Sequence, residues 1–155
     1  MKGNDGKGNT PSRDDWTTPE RLFEILLKQY HFEFDCCASL NNAKCQYFSD
    51  DFLNKSDLSW FCVWMNPPFS KAQEMFEHFF KVTTYGVAIY RCDNLESKVW
   101  QKTILPNADW VFIPDHRVKY GGHQGISPRF PSALIGKGVE PPTNITGVCL
   151  FPGGK

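Results

Sequence analysis

Phe61-Cys62-Val63-Trp64-Met65-Asn66-Pro67-Pro68-Phe69 is the stretch that decides how this chain folds. Its first five residues form a continuous apolar run of the kind that makes a buried strand. Two prolines then end the strand abruptly, because proline has no N–H to donate and a fixed φ. Lys71 to Lys81 follows, with Phe76, Phe79 and Phe80 at helical spacing, and Gly86 to Tyr90 is again a buried strand. The order strand, turn, helix, strand sets the pattern for the rest of the chain.

Upstream, Thr17-Thr18-Pro19-Glu20 reads as a helix start, with Thr as cap, Pro at the first helical position and an acid in the first turn. Leu22, Phe23, Leu26, Leu27 and Tyr30 continue that helix. His31 to Asp35 alternates and predicts a short strand ending at the acid. Cys36 to Lys44 is a polar turn or short helix, and Gln46 to Phe48 is a second short strand before Asp50-Asp51. Downstream, Leu95 to Leu105 predicts a helix stopped by Pro106, and Trp110 to Ile113 a strand. A Gly/Pro-rich loop follows over 121–131, and Ser132 to Ile135 and Gly147 to Phe151 predict closing strands. Strands alternating with helices define an α/β fold with a largely parallel sheet flanked by helices. Residues 1–13, nearly free of apolar side chains, predict a flexible arm, and 14–155 a single domain without internal repeats.

The 155 residues carry 17 basic and 17 acidic side chains, which excludes a strongly basic coat but not nucleic acid. Residues 1–85 hold 9 Lys/Arg against 12 Asp/Glu, and residues 86–155 hold 8 against 5, so a polyanion-binding face should draw on the second half. No apolar window is long enough for a membrane span and no export signal opens the chain, which makes a cytoplasmic protein the default expectation. The six cysteines lack C-x-x-C spacing and are read as free thiols, mostly buried, with no metal site expected.

The chemistry concentrates at Asn66-Pro67-Pro68-Phe69, at the carboxyl end of a buried strand, where open α/β sheets take their ligands. These residue types suit methylation of an exocyclic amine, whose lone pair is delocalised into its ring. Two acceptors on its two N–H bonds pull the nitrogen towards tetrahedral geometry and free that pair. The side-chain oxygen of Asn66 is one acceptor. The carbonyl of Pro67, held rigid by Pro68, is the other. Phe69 offers an aromatic face for an extruded base. A plain strand-ending turn uses the same letters, and only context separates the two readings.

That context is an ordered set: Trp16-Thr17-Thr18-Pro19 opening a helix, Asp35-Cys36-Cys37-Ala38-Ser39 after a strand, Asn41 or Asn42, Asp51, then Asn-Pro-Pro-Phe. Trp100, Arg117 and Phe130-Pro131-Ser132-Ala133-Leu134 extend it. Over residues 14–151 the chain resembles the phage-type, Dam-like DNA N6-adenine methyltransferase family. The resemblance implies a minimal Rossmann-like, S-adenosylmethionine-dependent methyltransferase fold and transfer of a methyl group to N6 of a flipped-out adenine. It places Trp16, Thr18 and Pro19 against the methionine end of the cofactor. Asp35 would take the cofactor's amino group, with Cys37 and Ala38 in close approach. Asp51 would accept from the cofactor adenine, with Phe52 packed on its ring.

Two features depart from the pattern. The turn after Asp35 has no glycine, and no clear acid ends the second strand to clasp the ribose, Asp50 being a poor substitute. Arg91, Arg117 and Arg129 are candidates for DNA phosphates, as against ordinary surface charges. At this length sequence readout would fall to the loops 91–98 and 117–131 or to a second copy in a homodimer. The same acceptor pair serves an RNA adenine or a protein glutamine amide. A non-catalytic nucleic-acid-binding module with a degenerate cofactor site is the remaining alternative.

Overall fold

The computed structural model describes residues 16–39, 41–120 and 130–153. The expected flexible arm and most of the Gly/Pro-rich loop lie outside the described residues. Among the described residues seven strands form one sheet: β1 Phe34–Asp35, β2 Tyr47–Phe48, β3 Cys62–Met65, β4 Tyr85–Arg91, β5 Trp110–Pro114, β6 Ser132–Lys137 and β7 Gly147–Leu150. Their spatial order is β2-β1-β3-β4-β6-β5-β7.

The sequence predicts a largely parallel sheet, and this is correct for only half of the pairings. β1 pairs in parallel with β2 and β3, and β3 with β4. The pairs β4–β6, β5–β6 and β5–β7 are antiparallel. β5 runs in the direction of β4 but lies one strand too far away to bond to it. β6 returns from the opposite direction and fills that gap. Ala133, Leu134 and Ile135 of β6 are fully buried, so an all-apolar strand fits a slot covered on both faces.

Two helices cover opposite faces of the sheet. α1 (Glu20–Tyr30) sets Phe23 edge-on to Trp64 of β3, with ring centroids 5.5 Å apart. Side chains alternate along a strand, so Val63 faces the other way. It lies there with Phe79 of α2 (Ala72–Val82), both crowding the space beside Gly86. Val99–Ile104 is wound as a π-helix and passes into a last turn, α3, at Leu105–Asn107. The predicted helix therefore begins later than Leu95 and contains Pro106 instead of stopping at it. A proline ring clashes with the carbonyl four residues back, and the wider π-turn gives it room.

Among the described residues all six cysteines are free thiols, but only Cys36 is buried; the other five are half-buried, less than the sequence reading expects. No helix in the described residues is long and apolar enough to cross a membrane.

Candidate functional site

The chain leaves β1 to build β2 on one side, then comes back to place β3 on the other. The sheet therefore has a topological switch point between β1 and β3, where a crevice opens beyond the carboxyl ends of the strands. A cleft of about 440 Å³ lies there. Asp35 to Ser39 from the end of β1, Asp50 to Leu53 from the end of β2 and Asn66 and Pro68 from the end of β3 form its walls. Trp16 to Thr18 close one side, and Lys71 and Met75 from the start of α2 close another.

Asp35 is 3% exposed. Its Oδ1 accepts from the Cys37 N–H at 3.3 Å and its Oδ2 from the Lys44 N–H at 3.0 Å. Burial raises its pKa above the usual carboxylate value, against the lowering effect of those two N–H groups. The Cys37 bond closes a turn around the side chain. No residue of this turn has a positive φ among those described, where His31 is the one non-glycine that does. The turn therefore needs no glycine, which explains the departure noted in the sequence. Small side chains at Cys37 and Ala38 leave the cleft open beside it. Burial pushes the Cys36 and Cys37 thiols well above their ordinary pKa and Cys45 up to about 12, so none of them is an activated nucleophile.

Asp51 is exposed at the cleft, and both its carboxylate oxygens accept from Asn54 Nδ2 at 2.8 Å. Phe52, 2% exposed, presents its ring to the cleft and packs edge-on against His78. Asp50 stands two residues beyond β2 on the cleft wall. The sequence makes it a poor substitute for a strand-ending acid, and the fold brings it to the cleft.

Asn66 stands directly after β3. Its Nδ2 donates to the Trp16 carbonyl at 3.1 Å and to Thr18 Oγ1 at 3.2 Å. The Trp16 carbonyl can only accept, so the amide nitrogen must face it. Asn66 Oδ1 is left buried with no hydrogen-bond partner among the described residues. Buried acceptors are normally paired, so an orphan on a cleft wall marks a place for a donor. Thr18 is a correction to the helix start: Pro19 occupies the cap position and no side chain caps α1. The Thr18 hydroxyl is turned inward, where it accepts from Asn66 and from Trp64 Nε1.

Of the residues expected at the site, Trp16, Thr18, Asp35, Cys37, Ala38, Asp51, Phe52, Asn66 and Pro68 come together on the cleft. Pro19, Pro67 and Phe69 lie off it. Phe69 is 6% exposed and sits edge-on to Tyr90 and Phe130, with both centroid distances 5.3 Å. The Arg91 guanidinium stands over this cluster, 5.9 Å from the Phe69 centroid and 4.8 Å from that of Phe130. It is also paired with Asp93, through contacts of 2.7 and 2.6 Å. These bonds hold the Asp93 carboxyl below its usual pKa, and the charge of Arg117 adds to the effect. Arg91 ends β4, and Arg117 follows β5, which runs the same way. Both arginines therefore stand at the edge of the sheet where the cleft opens. Arg129 lies outside the described residues. Among those described, no cluster of three His, Cys, Asp or Glu side chains could hold a metal ion.

A mixed sheet with a switch-point crevice, and a carboxamide oxygen on its wall that is buried and unpaired among the described residues, defines an α/β protein with a cleft at the place where open sheets take small molecules. The chain belongs to the DNA N-6-adenine-methyltransferase (Dam) family, whose model matches residues 6–128. No curated protein matches the chain.

Proposed function

We propose that the protein transfers a methyl group from S-adenosylmethionine to N6 of an adenine extruded from DNA. The observation that carries this reading is the buried, unpartnered Oδ1 of Asn66, fixed in direction by the bonds of its own Nδ2. An acceptor held this way is preorganised for an N–H donor, and a target amine is such a donor.

The cleft suits the cofactor in size and chemistry. Small-molecule sites run from about 300 to 1,000 Å³, and this one combines an acidic wall with apolar surface from Phe52, Leu53, Pro68 and Met75. Asp35 would hold the ammonium group, Asp50 the ribose hydroxyls, and Asp51 and Phe52 the adenine. Trp16 and Thr18 would border the methionine end, beside the small residues Cys37 and Ala38. When bound, S-adenosylmethionine supplies an electrophilic methyl group.

The chain's own part is to bind and orient. Asn66 Oδ1 accepts one N6–H and the Pro67 carbonyl the other, which localises the nitrogen lone pair. Asn66 is neutral and takes no proton, so the proton lost from the methylated nitrogen goes to water. Phe69 is the ring on which the base would stack, in the place over its face that the flat Arg91 guanidinium now occupies. Arg91, Arg117 and Arg129 would meet DNA phosphates. We read the sheet as a minimal Rossmann-like methyltransferase fold and residues 14–155 as one catalytic domain.

Mass spectrometry of nucleosides from DNA treated with protein and S-adenosylmethionine tests the proposal. N6-methyladenine appearing only with both is the expected result. Label entering an RNA or protein pool instead moves the acceptor to an RNA adenine or a glutamine amide. Calorimetric binding of cofactor without turnover on any pool makes the protein a binding module.

A further inference from the structure

We propose that Arg91 and Asp93 form a latch over the target-base site: the guanidinium holds the place of the base while DNA is absent, and Asp93 keeps it there. The proposal rests on the reading that an extruded base stacks on Phe69.

Phe69 is only 6% exposed, so its ring has to be uncovered before a base can reach it. The rings of Tyr90, Tyr120 and Phe130 and the guanidinium of Arg91 stand against it. The three rings are buried in the core, and moving any of them breaks up close packing. The Arg91 side chain keeps 21% of its surface in solvent and can leave without that cost. A guanidinium is flat and stacks on aromatic faces, as a base does.

The backbone on either side of this group is pinned. The Arg91 carbonyl accepts from Trp100 Nε1 at 3.0 Å, and the Cys92 N–H donates to the Pro131 carbonyl at 2.9 Å. Departure of the guanidinium is therefore a side-chain rotation. What opposes it is Asp93, whose two carboxylate oxygens take the Nε–H and Nη2–H of Arg91 at 2.7 and 2.6 Å. This is the bidentate geometry of the stronger charged pairs. The carboxylate is itself anchored by its own backbone N–H. Rotation away from the rings breaks the pair, and a DNA phosphate can take over from the carboxylate. Entry of the base and capture of a phosphate by Arg91 are then one exchange.

The signature of a latch is a penalty that falls on the base and not on the phosphates. Single strands need no extrusion. Fluorescence anisotropy at fixed salt compares an oligonucleotide of deoxyadenosine with one of equal length built from abasic sugars, which has the same charge and no bases. The ratio of the two affinities is the base preference. Asp93→Asn, which keeps the size and removes the charge, should raise that preference about three- to tenfold, the scale of one partly exposed bidentate pair. Arg91→Lys should raise it too, because an ammonium keeps a charge for phosphate but neither lies flat on the rings nor makes the bidentate pair. Equally tighter binding of both strands by Asp93→Asn shows only a lost negative charge and overturns the latch. A lower preference in that variant makes the pair part of the base site and overturns the latch as well. The absence of any base preference in all three proteins overturns the base site, and with it the proposed function.

Discussion

In the parallel half of the sheet β1 and β2 contribute two residues each, whereas β4, β5 and β6 contribute seven, five and six. The cleft lies in the half with the thin ladder. Short strands end early, and the chain beyond them is free to turn Asp35, Asp50 and Asn66 towards one another. Rigidity there comes from individual bonds: Cys36 N–H to the Trp64 carbonyl, Ala38 N–H to the Ser49 carbonyl, and the two N–H groups on Asp35. The antiparallel half is a plate held by a continuous ladder and by close contacts such as Gly136 under Trp110. A site needs polar groups aimed into space, and a fully paired sheet has none to spare.

Phe69 tests where the two halves meet, since it follows β3 and touches Tyr90 of β4 and Phe130 just before β6. Phe69→Ala should cost about 3–5 kcal/mol of stability, seen in urea titration. Rescue of its methylation by a mismatch opposite the target adenine would show that the ring also stacks the base. Full stability in that variant would break the comparison.

Asn66→Ala should slow methylation by about 3 kcal/mol in the barrier, the scale of one oriented donor or acceptor. Cofactor affinity should barely move, while the melting temperature should fall modestly, because Ala also removes the Nδ2 bonds to the Trp16 carbonyl and Thr18. Near-normal turnover would remove Asn66 from the reaction.

Gly136→Ala should destabilise the plate by about 1–3 kcal/mol through overpacking. A Cβ there would lie 2.0 Å from the Trp110 ring, which cannot retreat because its Nε1 is bonded to the Val139 carbonyl. Calorimetry should show a lower melting temperature. Cofactor affinity, set in the other half, should hold in the protein that remains folded.

Asp35→Ala should weaken S-adenosylmethionine binding by about tenfold or more, some 1.4 kcal/mol. Unchanged affinity in the folded variant would exclude the ammonium contact. The smallest effect expected is on pH. The folded pKa of Asp35 is raised from 3.8 by burial, so its contribution to the stability of the ligand-free protein is present below that value. This contribution is lost as pH rises through the folded pKa. Cofactor affinity should show the opposite slope, since only the ionised form pairs with an ammonium. Titration calorimetry against pH should find it falling before an ordinary carboxylate would protonate.

Much of this was legible in the sequence, and the failures were specific. Every predicted strand exists, because apolar runs bounded by prolines, glycines and acids are local signals. The antiparallel insertion of β6 was not legible, since an all-apolar strand carries no mark of its direction. Pro106 was misread as a stop because the π-turn that accommodates it is a property of the whole helix. Thr18 was misread as a cap because its spacing to Pro19 is that of a cap, whereas its true partners lie far along the chain. The ring of Phe69 was expected to show an open face, and in the folded protein it is covered by Arg91.

By itself the sequence determined the strand-turn-helix around Asn66, the acid at the end of β1 and the family to which they belong. These depend on periodicity and backbone chemistry within a few residues. Only the tertiary structure decided that Asp50 joins the cleft, that β6 enters the sheet, and which oxygen of the Asn66 neighbourhood stays free. The bonds from Trp64 and Asn66 to Thr18 span 46 and 48 residues. No local pattern encodes a contact of that span, which exists only once packing of the two sheet faces has closed the chain on itself.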